Sequence, residues 1–282
     1  MQKSNYITTK DFLVSGEQFN LVHDSVYDML VTQPQPPEDR LPLYYESDDY
    51  ISHTDEKKGV LSFLYQLVKK HALKRKVSLI NTLSATKSSV LDVGAGTGDF
   101  LAVAKNRGWS VSGVEVNSGA RDKAAEKGIN LVSSLEKVQN KKFDVITLWH
   151  VLEHIPNYKE TLATLESMLT NSGILIIAVP NFKSYDARHY KEYWAAYDVP
   201  RHLLHFSRNS LPKLLESTFA LQKIKPMVFD SFYVSLLSEK YKTGKSFSLK
   251  AFWIGLLSNI RAWQSKEYSS LIYCFKKTKQ GN

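Results

Sequence analysis

One cysteine in 282 residues, Cys274, excludes an internal disulfide and makes a reducing, cytoplasmic setting the expectation. Long hydrophobic runs are missing too. The longest, residues 174–179 inside GILIIAVP, falls far short of the ~20 residues needed to cross a bilayer, so it reads as a buried strand and no transmembrane segment is expected. The opening MQKSNYITTKDF has no apolar run after its charges, and a secretory leader is not expected. With 13 glycines and 9 prolines the chain is not fibrous, and it shows no internal repeat or low-complexity tract.

What is present is the composition of a globular protein: 43% hydrophobic, 12% aromatic and 23% charged residues, enough to bury a full core in one elaborated domain or two small ones. The net charge of +9 raises the question of a polyanionic partner. Its lysines and arginines are spread over residues 69–76, 137–142, 183–191 and 276–279, while residues 38–56 are acidic. That scatter reads as solvated helix faces, and nucleic acid is not the expected partner.

Prolines at 34, 36, 37 and 42 interrupt regular structure, and the run YYESDDYISH follows at 44–53, so residues 1–59 are expected to form an N-terminal arm. Residues 61–80 space Leu61, Leu64, Leu67, Val68, Leu73, Val77 and Ile80 at helical intervals. From residue 90 the pattern alternates. Strands are expected at 90–93, 110–116, 130–132, 143–148 and 173–179, and helices at 99–107, 119–127 and 158–169. A helix at 211–219 and late strands at 222–229 and 270–276, bracketing an apolar helix at 249–263, complete the series. Strands alternating with helices predict an α/β fold: a Rossmann-like, doubly wound, mostly parallel sheet with helices on both faces. Residues 181–207, rich in Tyr, Trp and His, are too long for an ordinary connection and are expected to be a functional insertion.

The sharpest signal is VLDVGAGTG at 90–98, a strand entering a glycine turn that opens a helix. Glycines let the backbone approach a ligand closely, and the helix N-terminus offers free amides. A dinucleotide fingerprint would place its last glycine one position later, where Asp99 stands, which counts against nicotinamide and flavin cofactors. Glu115 ends the second expected strand about twenty residues on, where a carboxylate accepts hydrogen bonds from ribose hydroxyls. Asp92 puts negative charge beside the loop, which repels a pyrophosphate and suits a cationic cofactor. S-adenosylmethionine meets these demands.

In these residues, and in FDVITLWHVLEHIP at 143–156, the chain resembles the class I S-adenosylmethionine-dependent methyltransferases over about residues 60–282. The resemblance implies a seven-stranded sheet with its last strand antiparallel. It also implies cofactor contacts from Gly94, Ala95, Gly96 and Gly98 to the methionine part, from Glu115 to the ribose, from Val116, Asn117, Ser134 and Leu135 around the adenine, and from Trp149 and His150 near the sulfonium. LWHVLEHIP is most similar to the quinone-biosynthesis O-methyltransferases and their small-molecule relatives. Some of those carry E-x-x-E-H, able to bind a divalent cation; here His150 stands at the first acidic position, leaving Glu153 and His154, a poor hard-cation set, so no metal is expected.

DVPRHLLHFS at 198–207 resembles a segment of the same group that shapes the acceptor pocket, which makes His202 a candidate general base, with His154 a second candidate catalytic residue. Tyr185, Tyr190, Tyr193, Trp194 and Tyr197 either wall an apolar acceptor site or pack a lid. DFLVSGEQFNLV with TQP at 32–34 resembles the tail of a cysteine-rich zinc module whose cysteines are all missing here, leaving no zinc ligand set. Tyr44, Tyr50 and His53 are candidates to close over the cofactor. The expected activity is methyl transfer to a small-molecule acceptor, with a hydroxyl favoured. A nucleic-acid methyltransferase and a non-catalytic adenosylmethionine-binding protein are the rival readings. The stretch AFWIGLL at 251–257 is expected to pack on the sheet, with dimerisation or membrane-surface contact as its alternatives.

Overall fold

The computed structural model describes residues 4–37, 39–45, 60–84, 88–245 and 247–278. Its strands are β1 (Ser4–Lys10), β2 (Gln18–Asp24), β3 (Met29–Gln33), β4 (Ser89–Val93), β5 (Ser110–Val114), β6 (Phe143–Trp149), β7 (Leu169–Pro180), β8 (Leu204–Phe206), β9 (Phe219–Pro226) and β10 (Ser270–Lys277). The helices are α1 (Val60–Leu83), α2 (Asp99–Lys105), α3 (Ser118–Glu126), α4 (Tyr158–Met168), α5 (Tyr185–Tyr190), α6 (Ser210–Leu215), α7 (Asp230–Thr243) and α8 (Leu249–Ser265).

The larger sheet has six strands in the order β5-β4-β6-β7-β10-β9. β4 pairs in parallel with β5 and β6, and β6 with β7, whereas β10 runs antiparallel to both β7 and β9. Central β4, β6 and β7 bury nearly continuous apolar runs because helices cover both faces; Leu91, Ile146 and Leu175 lie in one core cluster, Val90, Val145 and Ile176 in the other. The expected strand at 130–132 supplies one bridge, Val132 to Val114, so among the described residues the sheet has six strands rather than the seven expected.

The stretch expected as an arm contains three strands. Antiparallel β1, β2 and β3 form a meander that continues onto β8, giving a second sheet, β1-β2-β3-β8. β8 comes from the 181–207 insertion, so that insertion and the N-terminal strands are one structural unit. Phe19, Leu21 and Leu30 from the meander pack with Phe182, Tyr190, Trp194, Tyr197 and Val199 from the insertion, and with Val234 and Ile254 from α7 and α8. Of the aromatics expected either to wall an acceptor site or to pack a lid, Tyr190, Trp194 and Tyr197 are therefore core residues.

A buried ion pair ties the unit together. Arg201, 1% exposed, donates from Nη2 to Asp11 Oδ1 (2.9 Å) and Asp198 Oδ1 (2.7 Å), and from Nη1 to the Tyr44 carbonyl (2.8 Å). Asp186, fully buried, accepts from Trp194 Nε1, Ser258 Oγ and Ser269 Oγ at 2.6–2.8 Å. No helix of the described residues is long and apolar enough to cross a membrane.

Candidate functional site

The carboxyl ends of parallel β4, β5 and β6 lie side by side, with Asp92 opposite Gly113 and Thr147. This is where open α/β sheets bind their ligands. Between β4 and α2 the chain turns through Gly94, Gly96 and Gly98, with φ of 68°, 54° and 73°, the left-handed region that glycine adopts without strain. Gly98 caps α2. A Cβ on Gly96 would meet nothing within 4 Å, so an open cradle lies over the loop there.

Glu115 closes the far side of that cradle. Its Oε2 accepts from the Gly96 amide at 2.8 Å and its Oε1 from the Asn117 amide at 2.9 Å. Asn117 in turn caps α3 through the Ala120 amide, which fixes the turn after β5, while Val116 is 80% exposed beside it. The Glu115 amide donates to the Val132 carbonyl at 2.9 Å, so the turn carrying Ser134 and Leu135 leaves the sheet next to Glu115. Gly94, Ala95, Gly96, Gly98, Glu115, Asn117, Ser134 and Leu135 are thus brought to one edge of the sheet.

At the floor, Asp92 is 2% exposed and accepts from Thr147 Oγ1 at 2.6 Å. Burial pushes its carboxyl up to about 7, against the pull of that hydrogen bond and of the nearby Lys76 ammonium. Lys76, from α1, lies 4.3 Å from the centroid of the Trp149 ring, and burial lowers its pKa despite Asp92 and Asp230. Trp149 Nε1 is buried with no partner. His150, at φ 57°, contacts Asp230 Oδ2 (3.2 Å) and Glu153 Oε1 (3.4 Å). Burial opposes its charge, but these two carboxylates outweigh it and hold the imidazolium up to about 9. Lys76 and Asp230 escaped the sequence reading because only helix packing brings them here; neither sits in a motif.

A histidine of the 181–207 insertion, His202, meets the turn after β6. His154 and His202 stack edge to face with centroids 4.5 Å apart. His154 Nδ1 lies 3.0 Å from the Arg201 carbonyl and His202 Nδ1 3.0 Å from the Ala196 carbonyl. Burial, then the neighbouring His202, pushes His154 down to about 4. Tyr44 packs in the second core, its hydroxyl given to Glu17 Oε2 (2.6 Å), and is not brought to the glycine loop; Tyr50 and His53 lie outside the described residues.

A family model described as a methyltransferase domain matches residues 65–218, more than half of the chain. The chain belongs to that methyltransferase family. Curated relatives of this methyltransferase include the ubiquinone biosynthesis O-methyltransferases of Pasteurella multocida (30% identical; 34% of this chain, 48% of the relative) and Rickettsia canadensis (27%; 48% and 62%). The matched part spans about half the length of the first of these. Among solved structures, magnesium protoporphyrin IX methyltransferase from Synechocystis with bound S-adenosylhomocysteine shares the fold at a TM-score of 0.55 and 14% identity, over 83% of this chain and 97% of that one. A methyltransferase from Archaeoglobus fulgidus described as S-adenosylmethionine-dependent gives 0.50 and 18%, over 78% and 100%.

The residues at the sheet edge fit S-adenosylmethionine. The space over Gly96 admits a ligand that a side chain would fill, Glu115 holds its carboxylate against the Gly96 amide beside it, and buried Asp92 supplies an acid for a cationic end, while the Trp149 ring already carries the Lys76 ammonium.

Proposed function

We propose that this methyltransferase moves the methyl group of S-adenosylmethionine to a hydroxyl of a small molecule. The observation that carries the reading is Glu115 bound to the Gly96 amide: the carboxylate needed for a ribose is held against the loop needed for the methionine part. In this reading Gly94, Ala95, Gly96 and Gly98 receive the methionine part, and Glu115 exchanges its amide bonds for ribose hydroxyls. Val116, Asn117, Ser134 and Leu135 border the adenine, and Trp149, His150 and Asp92 face the cationic centre. Residues 60–282 form the catalytic domain, and residues 181–207 with the N-terminal strands form the acceptor side.

The sulfonium supplies an activated methyl group for in-line displacement, so the protein has to align, exclude water and take a proton. Alignment falls to the loop and Glu115. Exclusion of water falls to the insertion, whose aromatics are already packed. The hydroxyl proton falls to His202, whose Nδ1 lies 3.0 Å from the Ala196 carbonyl, which leaves Nε2 as the basic nitrogen, and His154, held between the Arg201 carbonyl and the Tyr45 hydroxyl, packs edge to face against it. The small-molecule acceptor is supported by the O-methyltransferase relatives.

Calorimetric titration with S-adenosylmethionine and S-adenosylhomocysteine tests the reading, with Gly96→Arg and Glu115→Ala alongside. Micromolar binding by the parent, lost in both variants, supports it and opens a screen of hydroxyl acceptors. A folded parent that binds neither compound overturns it, and binding without turnover across the screen favours a non-catalytic adenosylmethionine-binding protein.

A further inference from the structure

A helix on the surface of a globular protein turns its apolar stripe to the core and its polar face to water. α8 does the reverse with its large side chains. Its inward face, against α5 and α7, is built from Ala251, Ile254, Gly255, Ser258 and Ala262. The packing there is close enough that a Cβ on Gly255 would lie 2.9 Å from Phe232 Cα. Outward, at three- and four-residue intervals, stand Leu249, Phe252, Trp253, Leu257, Ile260 and Trp263, with Leu249 69%, Trp253 60% and Trp263 68% exposed. The stretch expected to pack on the sheet therefore packs on helices through its small residues and turns its large ones to solvent. Single exposed apolar residues are ordinary; a continuous face of six is a contact surface.

The charge around this face says what it meets. Residues 240–266 hold six cations, Lys240, Lys242, Lys245, Lys250, Arg261 and Lys266, and no carboxylate. Glu239, just before them, is buried; Lys250 Nζ stands 3.5 Å from it, and the Lys250 side chain stays 54% exposed. Arg261 lies 4.2 Å over the Tyr185 ring, and Lys266 donates to the Trp263 carbonyl, so both cations are held beside the apolar residues. A two-fold pairing of copies sets one patch against itself, and here six cations would face six. An anionic lipid surface satisfies the whole face at once. The apolar residues enter the acyl boundary, the tryptophans sit at headgroup level, and the Lys and Arg side chains reach the phosphates.

We propose that α8 and the turn before it seat the protein on the surface of an anionic lipid bilayer. α8 has 17 residues, and no helix of the described residues is long and apolar enough to cross a membrane, so α8 lies in the plane of the interface. The seat is joined to the candidate site through α7, against which α8 packs: α7 begins at Asp230, whose Oδ2 is 3.2 Å from His150 Nε2. The docked face and one wall of the site thus belong to one helical pair.

The full chain, without S-adenosylmethionine, is mixed with phosphatidylcholine vesicles and with vesicles of phosphatidylcholine and phosphatidylglycerol, and the bound fraction is read by flotation. Expected is binding about tenfold or more tighter to the anionic vesicles, weakening as ionic strength rises, with tryptophan fluorescence quenched by lipids brominated in the acyl chain. Trp253→Ser with Trp263→Ser should weaken binding by about tenfold or more and remove most of the quenching, and Lys245→Glu should weaken it about fivefold or more. Lys141→Glu, which makes the same change of charge at an exposed lysine before β6, should leave binding within about twofold. These side chains are exposed, so the folds survive, and circular dichroism checks them. No binding to anionic vesicles, equal binding to both kinds, or full binding by the tryptophan variant overturns the proposal. A dimer in sedimentation that the tryptophan variant dissociates, with no vesicle binding, overturns it in favour of a second copy. Because no cofactor is present, the outcome is separate from that of the methyl-transfer reading.

Discussion

Glu115 reaches from the end of β5 to the loop after β4, and its Oε2 accepts the Gly96 amide at 2.8 Å. One carboxylate thus sets the width of the cradle before any ligand arrives. Replacing it with Ala removes two charge-assisted bonds available to ribose hydroxyls and loosens the loop. Expected is a loss of about 1.5–3 kcal/mol in S-adenosylmethionine binding, roughly tenfold to more than a hundredfold in Kd, read by calorimetry. Glu115→Gln, which keeps the shape and loses the charge, falls between.

Gly96 and Gly98 separate binding from folding. Both have positive φ, but a Cβ on Gly98 would sit 2.9 Å from Ala124 Cβ, whereas one on Gly96 meets nothing. Gly98→Ala is expected to lose about 2–4 kcal/mol of stability in a denaturant melt. Gly96→Ala costs about 1–2 kcal/mol from its backbone alone, yet it loses cofactor affinity more than tenfold because the new methyl fills the cradle. Equal effects of the two variants on both readouts would contradict this division.

Asp92 gives the cofactor affinity a pH dependence of stated sign. Burial raises its carboxyl to about 7, so below that value the free protein holds a neutral acid, and a cation bound beside it requires the carboxylate. Binding therefore releases a proton in the acid range. The Kd for S-adenosylmethionine should fall as pH rises from 6 to 8, by up to about tenfold per unit on the acid side, and flatten above. Asp92→Asn should bind more weakly and lose the slope.

Arg201 joins the N-terminal strands to the 181–207 insertion. Its guanidinium is buried between Asp11 and Asp198, which outweigh the cost of burial and raise its pKa further. Arg201→Ala leaves a fully buried Asp11 without its cation, and the expected loss is about 3–5 kcal/mol in a denaturant melt. Arg201→Lys should not restore it, because a single ammonium cannot reproduce the fork that serves Asp198, Asp11 and the Tyr44 carbonyl.

The alternating pattern from residue 90 onward was legible because parallel strands buried on both faces must be apolar along their length, and the glycine turn with Glu115 was legible because those residue types are demanded locally by φ and by the ligand. The meander was not. β1, Ser4–Lys10, is mostly exposed and polar, and its placement depends on β2 and on an insertion more than 180 residues away, as in the bond from the Thr9 hydroxyl to the Glu192 backbone carbonyl. α7 also went unread, because its Asp230–Thr243 segment has no side-chain N-cap and no strong apolar period, although Gly244 closes it in the left-handed conformation.

By itself the sequence determined the α/β order, the glycine loop and its carboxylate partner, since each depends on residues close in the chain or on a fixed strand-to-strand spacing. Only the tertiary structure decided that the aromatic insertion is core, that Lys76 and Asp230 border the site, and that His202 stands against Glu153 and His154. Those outcomes depend on burial and on contacts between distant segments, where one buried charge selects its partner by desolvation cost, and no local pattern in the chain encodes that choice.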